Sequence, residues 1–284
     1  FPASPIHKEI VFNREEEKIY SVTLAPIKEQ KDEIAGLVLV LTDISEERKL
    51  DRMKSEFRKL VSIVAHELKA PINAIEGYLD LIIKGYVKDK PEKKLEYLNR
   101  CHDKAETLRN LIQDLLSLTS IESGKLTSEM EPVNLKPILI DVVKFLEHEI
   151  RSRNLTVTDN LLEQLPLIQG DKNSLTYLFT NLVSNAIKYN KPNGKVIINA
   201  IEKEDRLMVS VADTGVGISE DDQKKIFDEF FRSKNKDVQK VAGTGLGLSI
   251  AKRIAELHNA TIKLTSKLGE GSTFEISFPV LVNK

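Results

Sequence analysis

The run KVIINAIEKEDRLMVSVAD, residues 195–213, decides the fold class of the second half of the chain. Apolar and polar residues alternate on both sides of Lys203-Glu204-Asp205, so the run predicts two strands, Lys195–Glu202 and Arg206–Asp213. A connection this short joins antiparallel neighbours, because parallel strands need a crossover of about a dozen residues or more. We therefore predict an α+β sandwich and not a doubly wound parallel fold.

Helices and strands alternate around this hairpin, as expected for a sheet covered by helices. A loop at Glu122–Pro132 separates this region from the helical segment before it. The predicted helices are Leu135–Ser152, Ser174–Asn190 and Ile250–His258, and the further strands are Thr156–Asn160, Thr261–Ser266 and Thr273–Val280.

Glycine-rich loops follow the hairpin, and such loops can hold phosphate. Gly243-Thr-Gly-Leu-Gly-Leu248 directly precedes a predicted helix, whose free N–H groups and positive end favour an anion. Its G-x-G-x-G spacing is neither the dinucleotide fingerprint nor a Walker loop. Asp213-Thr-Gly-Val-Gly217 places a carboxylate where a strand enters a loop, although ordinary turns look the same. We interpret Gly269–Phe274 as a hairpin turn.

The helix before the hairpin carries polar residues on one face. Asn181, Asn185 and Lys188 follow each other at i, i+4 and i+7, and asparagine is a poor residue for a helix interior. One alternative is a solvated polar face. The functional alternative is that an asparagine oxygen binds Mg²⁺, which prefers oxygen ligands, while Lys188 and Tyr189 contact phosphate.

The middle of the chain predicts a helical hairpin. From Ser45 to Lys84 apolar residues recur every three or four positions, with Val61 and Leu68 at a positions of a heptad, and a second helix is predicted at Lys94–Ser120. One hairpin cannot enclose its apolar stripe, whereas two can form a four-helix bundle. We therefore predict a homodimer.

His66 lies at an f position of this heptad, so its imidazole points away from the seam. It can be an incidental surface residue. Its neighbour Glu67, however, could take the proton from an imidazole that attacks phosphorus, and Pro71 could bend the helix one turn later.

Three strands are predicted at the start of the chain, His7–Asn13, Lys18–Ile27 and Ile34–Ile44. Three strands without a covering helix are marginal, so we expect a domain that lacks its first half or a sheet that packs on a partner. The segment resembles the C-terminal half of a PAS sensor domain, because Thr42-Asp43-Ile44-Ser45 is similar to the exit motif of that family.

The composition excludes several kinds of ligand and site. Lys+Arg of 42 against Asp+Glu of 43 gives a net charge of −1, so no general attraction to nucleic acid or anionic lipid is expected. The single Cys101 excludes an internal disulfide and a thiolate zinc site. No apolar run approaches the about 20 residues that span a bilayer, and no charged-then-apolar leader follows Phe1. We expect a cytoplasmic catalytic portion, with a membrane anchor before Phe1 left open.

Five motifs in order resemble those of the sensor histidine kinases of two-component systems, over about residues 45–280. They are His66–Pro71 (H box), Asn181–Tyr189 (N box), Asp213–Gly217 (G1 box), Phe227–Phe231 (F box) and Gly243–Leu248 (G2 box).

This resemblance implies a Bergerat-type ATP-binding domain, shared with gyrase, mismatch-repair and heat-shock chaperone ATPases. It implies that Asp213 binds the adenine amino group, Asn185 carries Mg²⁺, Arg232 reaches the γ-phosphate and Ser219–Gly243 forms a mobile lid. His66 would be phosphorylated with Glu67 assisting, and would pass the phosphoryl group to an aspartate of a response regulator. The implied ATP-binding residues are Asn181, Asn185, Lys188, Tyr189, Asp213, Gly215, Gly217, Ile218, Phe227, Gly243, Thr244, Gly245, Leu246, Gly247, Leu248 and Thr273.

The chain departs from the family at Ala70. Family members that dephosphorylate their regulator usually carry Thr or Asn there to position water, and a methyl group donates no hydrogen bond. We expect weak regulator phosphatase activity.

Two other classes are weighed against a histidine kinase. A hydrolysing ATPase would need an acidic residue on the Ser174–Asn190 helix, which has none, and an inactive scaffold would lack the glycine motifs or the histidine. The expected domains are a PAS-like part at 1–44, a dimerisation and phosphotransfer part at 45–122, a linker at 123–132 and an ATP-binding part at 133–284.

Overall fold

The computed structural model describes residues 4–13, 17–28, 34–122, 130–239, 241 and 243–281. The chain divides into two compact units, Phe1–Glu67 and Leu68–Lys284. No helix in the described ranges is long and apolar enough to cross a bilayer.

The first unit contains an antiparallel sheet of three strands, β1 (Ile6–Asn13), β2 (Glu17–Lys28) and β3 (Ile34–Asp43), in the order β1-β2-β3. This confirms the three predicted strands. The sheet covers little apolar surface, because consecutive side chains of β3 stay exposed, from Leu37 at 39% to Leu41 at 58%.

Helix α1 (Ser45–Ile83) follows β3 and contains Pro71 without ending there. Its start is fixed to the sheet by hydrogen bonds around Ser45. The Ser45 hydroxyl donates to the Asp43 carboxylate (2.6 Å) and accepts from the backbone N–H of Ile19 (2.9 Å).

In the second unit, the end of α1 and helix α2 (Pro91–Glu122) form the predicted hairpin. The rings of Tyr78 and Tyr97 lie 5.4 Å apart, and the Arg100 guanidinium lies 5.8 Å from the centre of the Tyr78 ring. The helix begins three residues before the predicted Lys94, because proline is well tolerated in a first turn.

The remaining elements form a sheet covered by helices. The strands are β4 (Glu131–Val133), β5 (Thr156–Leu161), β6 (Ile168–Gly170), β7 (Lys195–Lys203), β8 (Arg206–Asp213), β9 (Thr261–Lys267) and β10 (Gly271–Pro279). The helices are α3 (Leu135–Phe145), α4 (Glu147–Ser152), α5 (Lys172–Lys188), α6 (Glu220–Gln223), α7 (Lys236–Gln239) and α8 (Gly247–Leu257).

The main sheet has the order β5-β7-β8-β10-β9, in which β5 and β7 are parallel and the other neighbours antiparallel. The predicted hairpin is confirmed, and Glu204 and Asp205 turn it with φ of +52° and +56°. Alternate side chains of the sheet pack under α3, α5 and α8, which gives the α+β fold class that the sequence predicts. Fully buried side chains in this layer include Ile198, Leu207, Ile276, Leu178, Leu182 and Ile254.

Three predictions on the elements were wrong or incomplete. The predicted helix Leu135–Ser152 is two helices, because the chain leaves helical geometry at Leu146 with ψ of 11°. Pro132, predicted as loop, lies in β4, which pairs with β6, and residues 123–129 of that loop lie outside the described ranges. The hairpin turn predicted at Gly269–Phe274 is present, with Gly269 at φ of +84°, but it is shorter than predicted because β10 already begins at Gly271.

Candidate functional site

A cleft of about 1350 Å³ lies in the second unit, between α5, the loop after β8, the segment 219–243, the start of α8 and one side of α2. Most residues that the sequence assigned to ATP line it. They are Asn181, Asn185, Lys188, Tyr189, Asp213, Gly217, Ile218, Gly243, Thr244, Gly245, Gly247 and Leu248, together with Arg232.

Helix α5 forms the back of the cleft. Asp171 caps its start by accepting the N–H of Ser174 at 2.7 Å, and its apolar face is buried in the core. Asn181 and Asn185 therefore face the cleft rather than bulk water. The side-chain nitrogen of Asn181 is buried without a hydrogen-bond partner of good geometry among the described residues, although it lies close enough to the Tyr177 hydroxyl to oppose the rise in the pKa of that phenol. It can therefore turn to donate to a ligand oxygen.

Lys188 ends this face of α5. Burial in the cleft lowers its pKa, and the carboxylates of Asp114 and Glu149 oppose that effect. A bound anion would stabilise the charged form of this ammonium group, because the attraction compensates for the contact with water that burial in the cleft removes.

Asp213 stands at the end of β8. Burial raises the pKa of its carboxyl group, while the N–H groups of Gly215 and Ser272 oppose the shift. Its Oδ1 accepts the N–H of Gly215 at 2.7 Å, which fixes the carboxylate in one orientation. A fixed, partly buried acceptor of this kind suits recognition of a ligand N–H group.

The glycine loop leads directly into α8, which begins at Gly247, three residues earlier than predicted. No side chain caps its first turn, so the first N–H groups can serve an anion. A Cβ atom on Gly247 would lie 2.7 Å from Oδ1 of Asn181, so glycine is what lets α8 approach α5 this closely.

Arg232 lines the cleft from the segment 219–243. Its guanidinium donates to the carbonyl oxygens of Val241 (2.6 Å) and Val238 (3.4 Å). Burial raises the pKa of Tyr189 across the cleft, and the charge of Arg232 opposes that shift. Arg232 therefore lies near the α5 end of the cleft, with its donors engaged by main-chain carbonyls.

Four of the residues assigned to ATP do not line the cleft. Leu246 is fully buried in the core, and Thr273 pairs within the sheet between Ala212 and Thr265. Phe227 packs edge-on against Phe274 at 6.4 Å. Gly215 lies beneath the wall, where an added Cβ would be 2.3 Å from the Tyr189 carbonyl oxygen. These four support the wall of the cleft.

His66 and Glu67 belong to the first unit. The His66 side chain is 82% exposed, and its Nδ1 lies 3.8 Å from Oε1 of Glu67. The outward position predicted from the heptad is confirmed.

Sequence reasoning missed the contribution of α2 to the cleft. Asp114 of α2 accepts hydrogen bonds from the hydroxyl groups of Tyr177 and Thr244. One signal was present in the sequence: the charged Asp114 lies one turn after Leu111 and directly before Leu115, beside the leucine stripe of α2.

Two family models match consecutive parts of the chain. Residues 58–124 match the family described as the His Kinase A (phospho-acceptor) domain. Residues 170–282 match the family described as histidine kinase-, DNA gyrase B- and HSP90-like ATPase. The first range contains His66, and the second contains the cleft residues from α5 to β10.

Individual proteins show the same similarity. The sensor protein kinase WalK of Staphylococcus epidermidis is 30% identical over 271 residues, which cover 94% of this chain and 43% of WalK. The solved histidine kinase AdeS of Acinetobacter baumannii has a TM-score of 0.62 at 25% identity, covering 77% of this chain and 98% of that one. Histidine kinase ThkA, solved in complex with response regulator protein TrrA, has a TM-score of 0.58 at 24% identity, covering 98% of this chain and 79% of that one. The chain spans 43% of WalK of Staphylococcus epidermidis and between 30% and 63% of other curated relatives that it matches.

Proposed function

Because this chain belongs to the sensor histidine kinase family, we propose that it binds ATP with Mg²⁺ in the cleft and transfers the γ-phosphoryl group to its own His66. One observation carries the proposal: α5, the loop after β8 and the start of α8 converge on a single cleft. Together they offer an acceptor for a base, amide oxygens for a metal and N–H groups for phosphate.

The nucleotide would be held along the cleft in one direction. The buried Asp213 carboxylate would accept the adenine amino group at one end. At the other, the start of α8 with Thr244, Lys188 and Tyr189 would bind the phosphates.

Asn185 would hold Mg²⁺ together with oxygen atoms of the nucleotide. The described residues contain no cluster of three His, Cys, Asp or Glu that could hold a metal ion. Phosphate oxygens and water would therefore complete the ligands of the ion, as is usual for Mg²⁺ at nucleotide sites. The unpartnered nitrogen of Asn181, one turn away on α5, fits the same interpretation because it can donate to a phosphate oxygen. When bound, the ion would neutralise charge on the phosphates.

In the reaction, a nitrogen of His66 forms a bond to the γ-phosphorus as the bond between that phosphorus and the bridging oxygen of ADP breaks. The imidazole must lose a proton, and Glu67 would accept it after a small side-chain movement, because its Oε1 lies 3.8 Å from Nδ1. Nε2 would then be the attacking nitrogen. Arg232 would leave the carbonyls of Val238 and Val241 to stabilise the charge of the γ-phosphate.

The proposed partners are a second copy of this chain and a response regulator. The hairpin leaves Leu95 61% exposed and Leu98 43% exposed, which a four-helix bundle formed by residues 45–122 would cover. The solved complex of ThkA with TrrA supports a regulator receiver domain as the acceptor of the phosphoryl group.

Three narrower proposals follow from the sequence. Regulator phosphatase activity would be weak, because Ala70 has no group that could position water, and an Ala70→Thr variant should gain it. The domains would divide at 1–44, 45–122, 123–132 and 133–284, with the first part PAS-like. The catalytic portion would act in the cytoplasm, where Cys101 stays reduced.

Incubation of the full chain with radiolabelled ATP and Mg²⁺ tests the proposal. We expect an acid-labile, base-stable phosphorylated protein that is absent in His66→Gln and in Asn185→Ala. His102→Gln is the matched control, because His102 is another exposed histidine of the hairpin, and it should label normally. Phosphate release without a labelled histidine would instead indicate a hydrolysing ATPase and would refute the proposal.

A further inference from the structure

Asp114 is the polar residue through which α2 contacts the wall of the cleft. Its Oδ1 accepts a hydrogen bond from the Tyr177 hydroxyl of α5, and its Oδ2 accepts one from the Thr244 hydroxyl at 2.6 Å. Burial and the neighbouring Asp114 carboxylate raise the pKa of Tyr177, so this phenol stays protonated and acts as the donor in its hydrogen bond to Asp114. Both oxygens of the carboxylate are therefore engaged by the ATP-binding part.

The partners of Asp114 are the kinds of group that bind phosphate. Two are hydroxyl donors, and the third, Lys188, is a cation on which the Asp114 charge acts through space. Thr244 also belongs to the glycine loop that leads into α8. The carboxylate thus occupies an anion site made of the Tyr177 and Thr244 hydroxyl groups, with the charge of Lys188 near enough to act on it.

Apolar contacts on the same side of α2 accompany this carboxylate. Leu111, one turn before Asp114, is 3% exposed, and Leu118, one turn after it, is 5% exposed, and both belong to the core cluster of the sheet and its helices. Helix α2 also packs against α8, the helix that the glycine loop begins. Whatever moves Asp114 out of the cleft would therefore disturb the packing of α2.

We propose that Asp114 competes with the nucleotide phosphates for this anion site, so that ATP binding and the docking of α2 oppose each other. The inference rests on the proposed nucleotide site. A carboxylate in contact with Thr244 repels phosphate oxygens and engages the hydroxyl that they would use. By linkage, a nucleotide that displaces Asp114 loosens α2, and a firmly docked α2 weakens nucleotide binding by the same factor.

Calorimetric titration of the full chain with ADP and with adenosine tests the competition. We expect Asp114→Asn to bind ADP about tenfold more tightly than the natural chain, because one negative charge is removed from the phosphate end. Adenosine, which has no phosphate, should bind both proteins equally. Asp103→Asn is the matched control: it removes the same charge from the same helix and cleft, and no hydrogen bond joins its carboxylate to α5 or α8 among the described residues, so its ADP affinity should stay unchanged.

The outcomes separate this inference from the proposed function. If the natural chain binds neither ligand, the proposed nucleotide site fails. If it binds ADP but Asp114→Asn binds ADP equally or more weakly, the competition is refuted and Asp114 only supports the fold.

Amide hydrogen exchange of the natural chain gives a second measurement that does not depend on the folding of a variant. Saturation with ADP should increase exchange at residues 111–121 of α2, while α5 becomes more protected. Increased protection at residues 111–121 would overturn the proposal, because the nucleotide would then stabilise the docked helix.

Discussion

Gly247 is a residue at which α8 comes close to α5. Replacing it by alanine would place a Cβ atom 2.7 Å from Oδ1 of Asn181 and push that carboxamide aside. Because the Asn181 side chain can move, we expect a small loss of stability, under about 1 kcal/mol, but an ADP affinity at least about tenfold lower. Thermal unfolding and calorimetric titration measure the two effects.

Gly77 provides the matched control for that substitution. It lies inside α1, and an added Cβ atom would have no neighbour within 4 Å. Gly77→Ala should leave ADP affinity unchanged and stabilise the chain by about 0.5–1 kcal/mol, the usual difference between glycine and alanine in a helix. Equal ADP affinities for Gly247→Ala and the natural chain would show that Asn181 does not contact the nucleotide.

The sequence predicted the direction or the contacts of some side chains and not of others. The outward direction of His66 follows from the period of its own helix, so the sequence predicted it correctly. Asp114 and Tyr177 meet because α2 packs against α8, which places Asp114 within reach of α5, and no local pattern encodes that contact. Leu246 lies among glycines but is fully buried in the core, and a loop this short has no period from which that direction could be predicted.

At the scale of elements, His258 links the end of α8 to the start of α5. Its Nδ1 lies 2.7 Å from the Ile254 carbonyl oxygen, and its Nε2 accepts the backbone N–H of Asp171, the capping residue of α5. The ring is 3% exposed, and burial lowers its pKa, although the Ile254 carbonyl and the Asp171 charge oppose the shift.

This contact predicts a pH dependence of stability. Below about pH 6.5 the unfolded chain binds a proton at His258 that the folded chain resists, so stability falls as the pH drops through that value and continues to fall toward the lower folded pKa. Thermal unfolding at about pH 7.5 and about pH 5.5 should show a larger loss in the natural chain than in His258→Gln. His148→Gln, at an exposed position of α4, should lose as much stability as the natural chain. Identical losses in the natural chain and His258→Gln would contradict the assignment.

Elements were predictable where their pattern was long. The hairpin of β7 and β8 gives eight or more alternating positions, and its two strands agree with the prediction within one residue. Strands β4 and β6 have three residues each, too few for a period, and they exist because they pair with each other. The break at Leu146 also escaped notice, since apolar residues continue across it in helical spacing.

At the scale of the whole molecule, the exposed leucines of α2 predict a dimer. The pair Leu95→Asp and Leu98→Asp would place charges where a second hairpin must bury apolar side chains, each contributing about 1.5–3 kcal/mol on burial. We expect the natural chain to be dimeric and the double variant monomeric by light scattering coupled to gel filtration. Ile83→Asp is the control, because Ile83 is 77% exposed but lies off the heptad seam, so that variant should stay dimeric. A natural chain that is monomeric at micromolar concentration would contradict the predicted bundle.

The fold class and most of the residues that line the cleft could be predicted from patterns within single segments. The partners across segments could not, because they depend on which faces the packed elements present to each other. The second wall of the cleft, supplied by α2, is the main example.

The end of α5 and the loop after β8 are in direct contact. The Tyr189 carbonyl at the end of α5 accepts the N–H of Val216 at 3.1 Å, and Gly215 packs directly on it. The acceptor proposed for the base and the helix proposed for the metal are thus directly joined, and together they would recognise features that ATP and ADP have in common. In the proposed reaction, discrimination between substrate and product would then come from Arg232, which could exchange its main-chain carbonyl partners for a third phosphate.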